Sequence, residues 1–209
     1  MPKSRMWKTI AFALFVGLVI VVSIWWFLPS NAPFTTRWEG GIDQDFLRQV
    51  RQDIDLAWKG YKYLKVDLIS PGGGVLETLE TARIIHQAVH KGLVVEIHGT
   101  AIVASGGTFI LAAGTPGRRY ITKGTLVLIH PPQVGGGFFA PPTCGAWTEN
   151  PRTELEKILN VALVLMQNAY SEYTGRDVIE TRRWLTCGQE QVGDGTLAIT
   201  LGLADALEG

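Results

Sequence analysis

The most constraining stretch of this chain is Val66-Asp67-Leu68-Ile69-Ser70-Pro71-Gly72-Gly73-Gly74, a strand pattern that runs straight into glycines. An amphipathic helix pattern follows it through His90, and Leu93–His98 then reads as another strand. Upstream, Phe34–Glu39 reads as a first strand and Gly40-Gly41-Ile42-Asp43 as its turn. Asp43 is placed to cap a helix with Phe46, Val50, Ile54 and Trp58 inward. Tyr63–Ser70 makes the second strand and Val75–Lys91 the second helix. This β-α-β-α rhythm, with near-continuous apolar strands, predicts a mostly parallel sheet covered by helices. Right-handed crossovers then bring the glycine turns to the C-terminal edge of the strands, where α/β proteins build their sites.

A second stretch carries the candidate chemistry. Within Thr100–His130, Ser105 sits among Ala104, Gly106 and Gly107, just ahead of Phe109–Ala113, a buried-helix run. His130 closes the run Thr125–Ile129, which reads as a buried strand. A serine at a helix start between small residues keeps its hydroxyl accessible, and the first N–H groups of the helix face a developing oxyanion. His130 can return alongside by one helix, the turn Gly114–Gly117 and a strand. The Gly72–Gly74 turn is not a phosphate loop, because no Gly-Lys-Ser/Thr follows. It fits half of an oxyanion hole, with Gly73 N–H and Gly106 N–H aimed at one carbonyl oxygen.

Several short motifs occur in consistent order: Ser70-Pro71-Gly72-Gly73, Ala104-Ser105-Gly106-Gly107, Leu111-Ala112-Ala113-Gly114, Ile129-His130, Tyr173-Thr174-Gly175 and Gly202-Leu203-Ala204-Asp205. Together they resemble the Clp-protease proteolytic subunit and its membrane-bound relatives, from Arg37 to Leu207. The resemblance implies an α/β fold of the Clp/crotonase type, a ββα spiral with a mostly parallel sheet. It also implies a serine peptidase acting on polypeptides with no metal or cofactor. His130 takes the Ser105 proton, Ser105 attacks the peptide carbonyl, and Gly73 and Gly106 bind the oxyanion. A crotonase-like acyl-CoA enzyme and a catalytically silent, membrane-tethered scaffold stay open as alternatives.

The third member of a triad is ambiguous. Counted back from Gly202, the family's aspartate register falls on Glu190; Asp194 lies nearby but reads as the N-cap of a helix Leu197–Leu201. Asp177 and Glu180 match less well, and a bare dyad remains open. His86 and His90, spaced i, i+4, invite a metal reading, yet there is no His-Glu-x-x-His and no evident third ligand. No metal is expected there, and His98 reads as a structural histidine.

Thr9–Leu28 carries no charge and is long enough to cross a ~30 Å hydrocarbon core. Lys3, Arg5 and Lys8 precede it, and Trp25 and Trp26 sit at its far end. No Ala-x-Ala site follows, so the segment reads as a retained anchor rather than a cleaved signal peptide. The expected organisation is a cytoplasmic stub and transmembrane helix over 1–28, a linker over 29–33, and a domain over 34–209. That domain lies on the periplasmic side of the inner membrane. In such an oxidising space Cys144 and Cys187, the only two cysteines, are a candidate disulfide. Zero net charge and no basic cluster give no reason to expect nucleic acid. Residues 131–147, with Phe138, Phe139 and Trp147 among glycines and prolines, read as a functional loop. Glu154–Tyr173 reads as a long helix with Leu155, Ile158, Leu159, Ala162, Met166, Ala169 and Tyr173 in one stripe. Val161, Val164 and Leu165 widen the stripe, which predicts burial on two sides and a homo-oligomer.

Overall fold

Strands β2 (Tyr63–Ser70) and β3 (Val94–Ala104) pair in parallel at the centre of the sheet, and β1 (Phe34–Glu39) lies parallel on the far side of β2. The structure is a computed structural model and describes residues 32–134, 143–144 and 154–209. The anchor expected at 9–28 and the aromatics of the loop after His130 lie outside those residues. Among the described residues no helix is long and apolar enough to cross a membrane.

Helix α1 (Gln44–Gly60) starts where Asp43 Oδ1 accepts from the N–H groups of Asp45 and Phe46, at 3.0 and 2.9 Å. It buries Phe46, Val50 and Ile54 as their spacing predicts, while Trp58 is only partly covered. α2 (Val75–His90) follows the glycine turn, and the wholly buried α3 (Gly106–Ala112) follows β3. The chain continues through β4 (Arg119–Thr122), β5 (Leu126–Ile129), β6 (Gln133–Val134), β7 (Thr143–Cys144) and α4 (Glu154–Thr174). It ends with α5 (Val178–Trp184), β8 (Gln191–Gly193), α6 (Gly195–Leu201) and β9 (Ala206–Glu208). β4 and β9 extend the sheet in parallel, and β8 runs antiparallel to β5. The fold is α/β with a mostly parallel sheet, as expected.

Helices do not cover the sheet evenly. β2 alternates, with Leu64, Val66 and Leu68 fully buried and Asp67 exposed. On the face of Lys65 and Asp67, Glu96 accepts from the Tyr63 hydroxyl at 2.5 Å and pairs with His98 Nε2 at 2.8 Å. His98 Nδ1 meets Glu208 at 2.8 Å, so this histidine is a structural residue. The apolar reading of β2 therefore holds for one face only, and the other is built from a polar network.

β3 is longer than its apolar pattern. Ile97–Gly99 pair with β4, Ile102–Ala104 pair with β5, and Ala101 at φ 57° marks the break between. Gly99, Thr100 and Ala101 interrupt the apolar run, which hides the second half of the strand. At the sheet's far end the buried Arg119 grips Asp205 through two bonds, of 2.5 and 2.9 Å, and Asp205 also accepts from Gly117 N–H at 2.8 Å. The aspartate of the Gly-Leu-Ala-Asp motif is thus a structural clamp.

In helix α4 the stripe residues Ala162 and Met166 are buried beside Leu163 and Tyr170, and Ala169 and Tyr173 pack against the core, whereas Ile158 is 62% exposed and Val161 60%. Cys187, between α5 and β8, is disulfide-bonded, and no described cysteine is free.

Candidate active site

β3 ends at Ala104, and Ser105 turns the chain into α3. Ser105 has φ 51° and ψ −122°, a conformation that glycine adopts readily and other residues only at a cost of order 1–3 kcal/mol. Its surroundings hold it there. Ser105 N–H donates to Leu128 O on β5 at 2.7 Å, and its carbonyl accepts from Thr108 N–H at 3.0 Å and the Thr108 hydroxyl at 2.5 Å. The sharp turn leaves the serine half-buried at the sheet edge.

The upstream glycine turn lies against it. A Cβ on Gly72, which has φ 95°, would fall 2.5 Å from Ser105 Cβ and 2.8 Å from Gly106 N. A Cβ on Gly73 would meet Ile42 O at 2.2 Å. Ile42 fixes this turn by donating its N–H to Gly72 O and accepting from Gly74 N–H, both at 2.9 Å. Gly73 N–H takes no part in either bond. Gly106 opens α3, where a backbone N–H has no acceptor within the helix. Gly73, Gly106, Ser105 and His130 all line one cleft of about 300 Å³. Val75, Leu79 and Met166 form its apolar wall.

His130 follows directly on β5, whose Leu128 pairs with Ala104. Its Nδ1 lies 2.7 Å from the Pro131 carbonyl oxygen. A carbonyl only accepts, so Nδ1 carries the hydrogen and Nε2 keeps its lone pair. A general base for a serine needs that tautomer.

The carboxylates are arranged less simply. Ile129 pairs with Gln191 in the antiparallel β5–β8 ladder, so Glu190 lies one step on, across from His130. Its carboxylate accepts from Gly188 N–H at 3.1 Å instead. Asp194 caps α6, accepting from the Thr196 hydroxyl and, at 2.9 Å, from Thr196 N–H. Those two bonds hold its carboxyl below the usual range. Asp177 caps α5 through Ile179 N–H, and Glu180 faces Arg176. Among the described residues no carboxylate hydrogen-bonds His130.

Three residues behind the cleft escaped the sequence reading. Thr108 donates its only hydroxyl hydrogen to Ser105 O, so the 2.5 Å contact with Tyr170 takes its hydrogen from Tyr170. Burial pushes the Tyr170 hydroxyl well above its ordinary pKa, against the opposing pull of Thr108, and keeps it a donor. Thr78 Oγ1 is buried on the cleft wall with no hydrogen-bond partner among the described residues. In sequence, Thr108 stands three residues past Ser105 and Thr78 four past Gly74, and nothing marks either from an ordinary helix threonine.

A Clp protease family model matches residues 59–207, more than half of the chain and every residue of the cleft. The chain belongs to the Clp protease family. Among members of this Clp family, ATP-dependent Clp protease proteolytic subunit 1 of Leifsonia xyli subsp. xyli (strain CTCB07) is 36% identical over 94 residues, covering 42% of this chain and 43% of the relative. Proteolytic subunit 2 of Gluconobacter oxydans (strain 621H) is 36% identical over 105 residues, covering 50% and 46%. Proteolytic subunit 2 of Mycobacterium leprae (strain TN) is 31% identical over 123 residues, covering 54% and 49%. The chain thus spans just under half the length of these curated Clp relatives.

Proposed function

We propose that this Clp family member is a serine peptidase that cleaves polypeptides at Ser105. One observation carries the reading: a serine held in a strained turn opens into the same cleft as a histidine whose Nε2 is free to accept, beside two glycines. His130 Nε2 takes the Ser105 proton as Oγ bonds to the peptide carbonyl carbon. The carbonyl oxygen becomes an oxyanion between Gly73 N–H and Gly106 N–H. His130 then passes the proton to the leaving amine, and a water repeats the sequence to release the acyl group. Apart from that water, every group in these steps belongs to the protein or the peptide.

In this reading Ser105 and His130 are the working pair, with the Pro131 carbonyl orienting the imidazole. Glu190 is the carboxylate within reach by register, and Asp194 is committed to its cap. Two further features complete the proposal. Residues 9–28 tether the chain to the inner membrane with its domain outside the cytoplasm, supported by their lack of charge and their basic flank. Ile158, Val161 and Leu165, exposed along α4, join copies into a homo-oligomer.

The test is covalent labelling of the full-length protein by a fluorophosphonate, with hydrolysis of a casein substrate measured alongside. Labelling lost in Ser105→Ala and in His130→Ala supports the assignment. An unlabelled wild type that hydrolyses nothing makes the chain a scaffold. Protease added to intact spheroplasts checks the tether: digestion of the domain is expected, and full protection overturns the orientation.

A further inference from the structure

His86 and His90 stand one turn apart near the C-terminal end of α2, away from the cleft. Thr78, on the cleft wall, and His86 are separated by about 12 Å of helix. In sequence the pair lacks a third ligand. In the fold α4 packs along α2 and brings Glu172 to it. His90 Nε2 lies 3.1 Å from His86 Nε2, and the two rings stand nearly perpendicular at 83°. Glu172 Oε1 is 3.6 Å from His86 Nδ1. One ligand-capable atom from each of the three residues lies within 4.8 Å of the other two. The Tyr173 ring packs on His86 with centroids 4.6 Å apart and limits how that ring can turn.

We propose that His86, His90 and Glu172 bind a borderline first-row divalent cation, with zinc as the natural probe, and that the ion clips the ends of α2 and α4 together. Two imidazoles and one carboxylate suit zinc, copper, nickel or cobalt, whereas magnesium and calcium require oxygen ligands. Bonds of ~2.0–2.2 Å place the ligands of a tetrahedral ion about 3.4 Å apart, close to the spacing already present between the Nε2 atoms. Glu172, 61% exposed, completes the set by rotating its own side chain. A fourth position stays open to water.

The clip connects two helices on which the cleft depends. α2 starts at the Gly72–Gly74 turn, and α4 supplies Met166 to the cleft wall and Tyr170 behind Ser105. An ion that binds only the folded arrangement stabilises it in proportion to the logarithm of its concentration.

The test uses tag-free, full-length protein in detergent, stripped with a chelator and titrated with zinc chloride near pH 7.5. Binding is read by competition with a chromophoric zinc chelator, and stability by thermal unfolding. One zinc per chain and a Tm rise of several degrees are expected. His90→Asn and Glu172→Gln, both at exposed positions, should each weaken binding at least tenfold, and Glu154→Gln at the other end of α4 should not. Substituting cobalt should give a visible d–d band that His86→Asn removes. Substoichiometric zinc, or unchanged affinity in both His90→Asn and Glu172→Gln, overturns the proposal. Each readout is independent of Ser105 labelling, so the site stands or falls apart from the peptidase reading.

Discussion

Tyr170 donates its hydroxyl hydrogen to Thr108 Oγ1 across 2.5 Å, and Thr108 passes its own to the carbonyl of Ser105. A residue on α4 thereby holds the backbone of the candidate nucleophile, through one intervening hydroxyl. Tyr170→Phe removes the first donor and leaves the ring's packing against Phe109 in place. The expected loss is about 1 kcal/mol in urea unfolding, with fluorophosphonate labelling of Ser105 slowed severalfold. Unchanged labelling would show that the turn is held without Tyr170.

Ser105 and His130, acting as one unit, should give strongly non-additive losses. Each alanine variant should abolish casein turnover, and the double variant should be hardly worse than either. In the proposed triad Glu190→Gln should cost about tenfold, because a third carboxylate orients the base and carries no proton. Asp194→Asn keeps its cap and should stay within about threefold of wild type. Steady-state kinetics on the five variants decides the ranking, and equal small losses at 190 and 194 leave a dyad.

The Arg119–Asp205 clamp predicts an acid limit. Burial works to raise the Asp205 carboxyl, but its bonds to Arg119 and to the N–H groups of Arg119 and Gly117 outweigh that and hold it below its ordinary value. A carboxyl depressed on folding stabilises the fold above its unfolded pKa, near 4, and loses that contribution as pH falls through the folded value. Asp205→Asn should cost about 3–5 kcal/mol near neutrality and flatten the fall in stability below pH 4. Urea midpoints measured between pH 3 and 7 check both effects.

Cys187 should be bonded to Cys144, the only other cysteine in the chain. Closing that loop stabilises the fold by about 3–4 kcal/mol in the chain-entropy account. It also ties the segment after His130 to the one that carries Glu190. Thiol titration of the denatured, unreduced protein should find none, and two free thiols would remove the link.

The exposed face of α4 should hold copies together. Val161→Glu and Val164→Glu introduce charge at positions 60% and 36% exposed in one chain, so the single chain should still fold. Smaller particles by light scattering in detergent are the expected result, and a monomeric wild type refutes the oligomer.

Much of this arrangement was legible from short-range pattern. The helix cap at Asp43, the strand Tyr63–Ser70 and the turn into Ser105 each leave a local signature, because caps and glycine turns are set within a few residues. The cap at Asp194 was readable for the same reason. What escaped depends on partners distant in the chain. The second half of β3 exists because β5 pairs with it, through residues whose own pattern is broken by Gly99 and Ala101. Which positions of α4 are covered depends on what it packs against, so period alone placed Ile158 inside when it lies outside. Glu172 joins His86 and His90 only when two helices meet, and the Tyr170–Thr108 bond spans 62 residues.

The backbone angle at Ser105 bears on the history of this position as well as its chemistry. Glycine would occupy φ 51°, ψ −122° without the steric penalty that serine carries, so the fold by itself favours replacing the hydroxyl. A lineage released from selection on catalysis should drift toward glycine here and gain stability by doing so. A serine at a site where it is thermodynamically disfavoured is what the proposed peptidase demands, and Ser105→Gly should melt higher than wild type while losing all turnover.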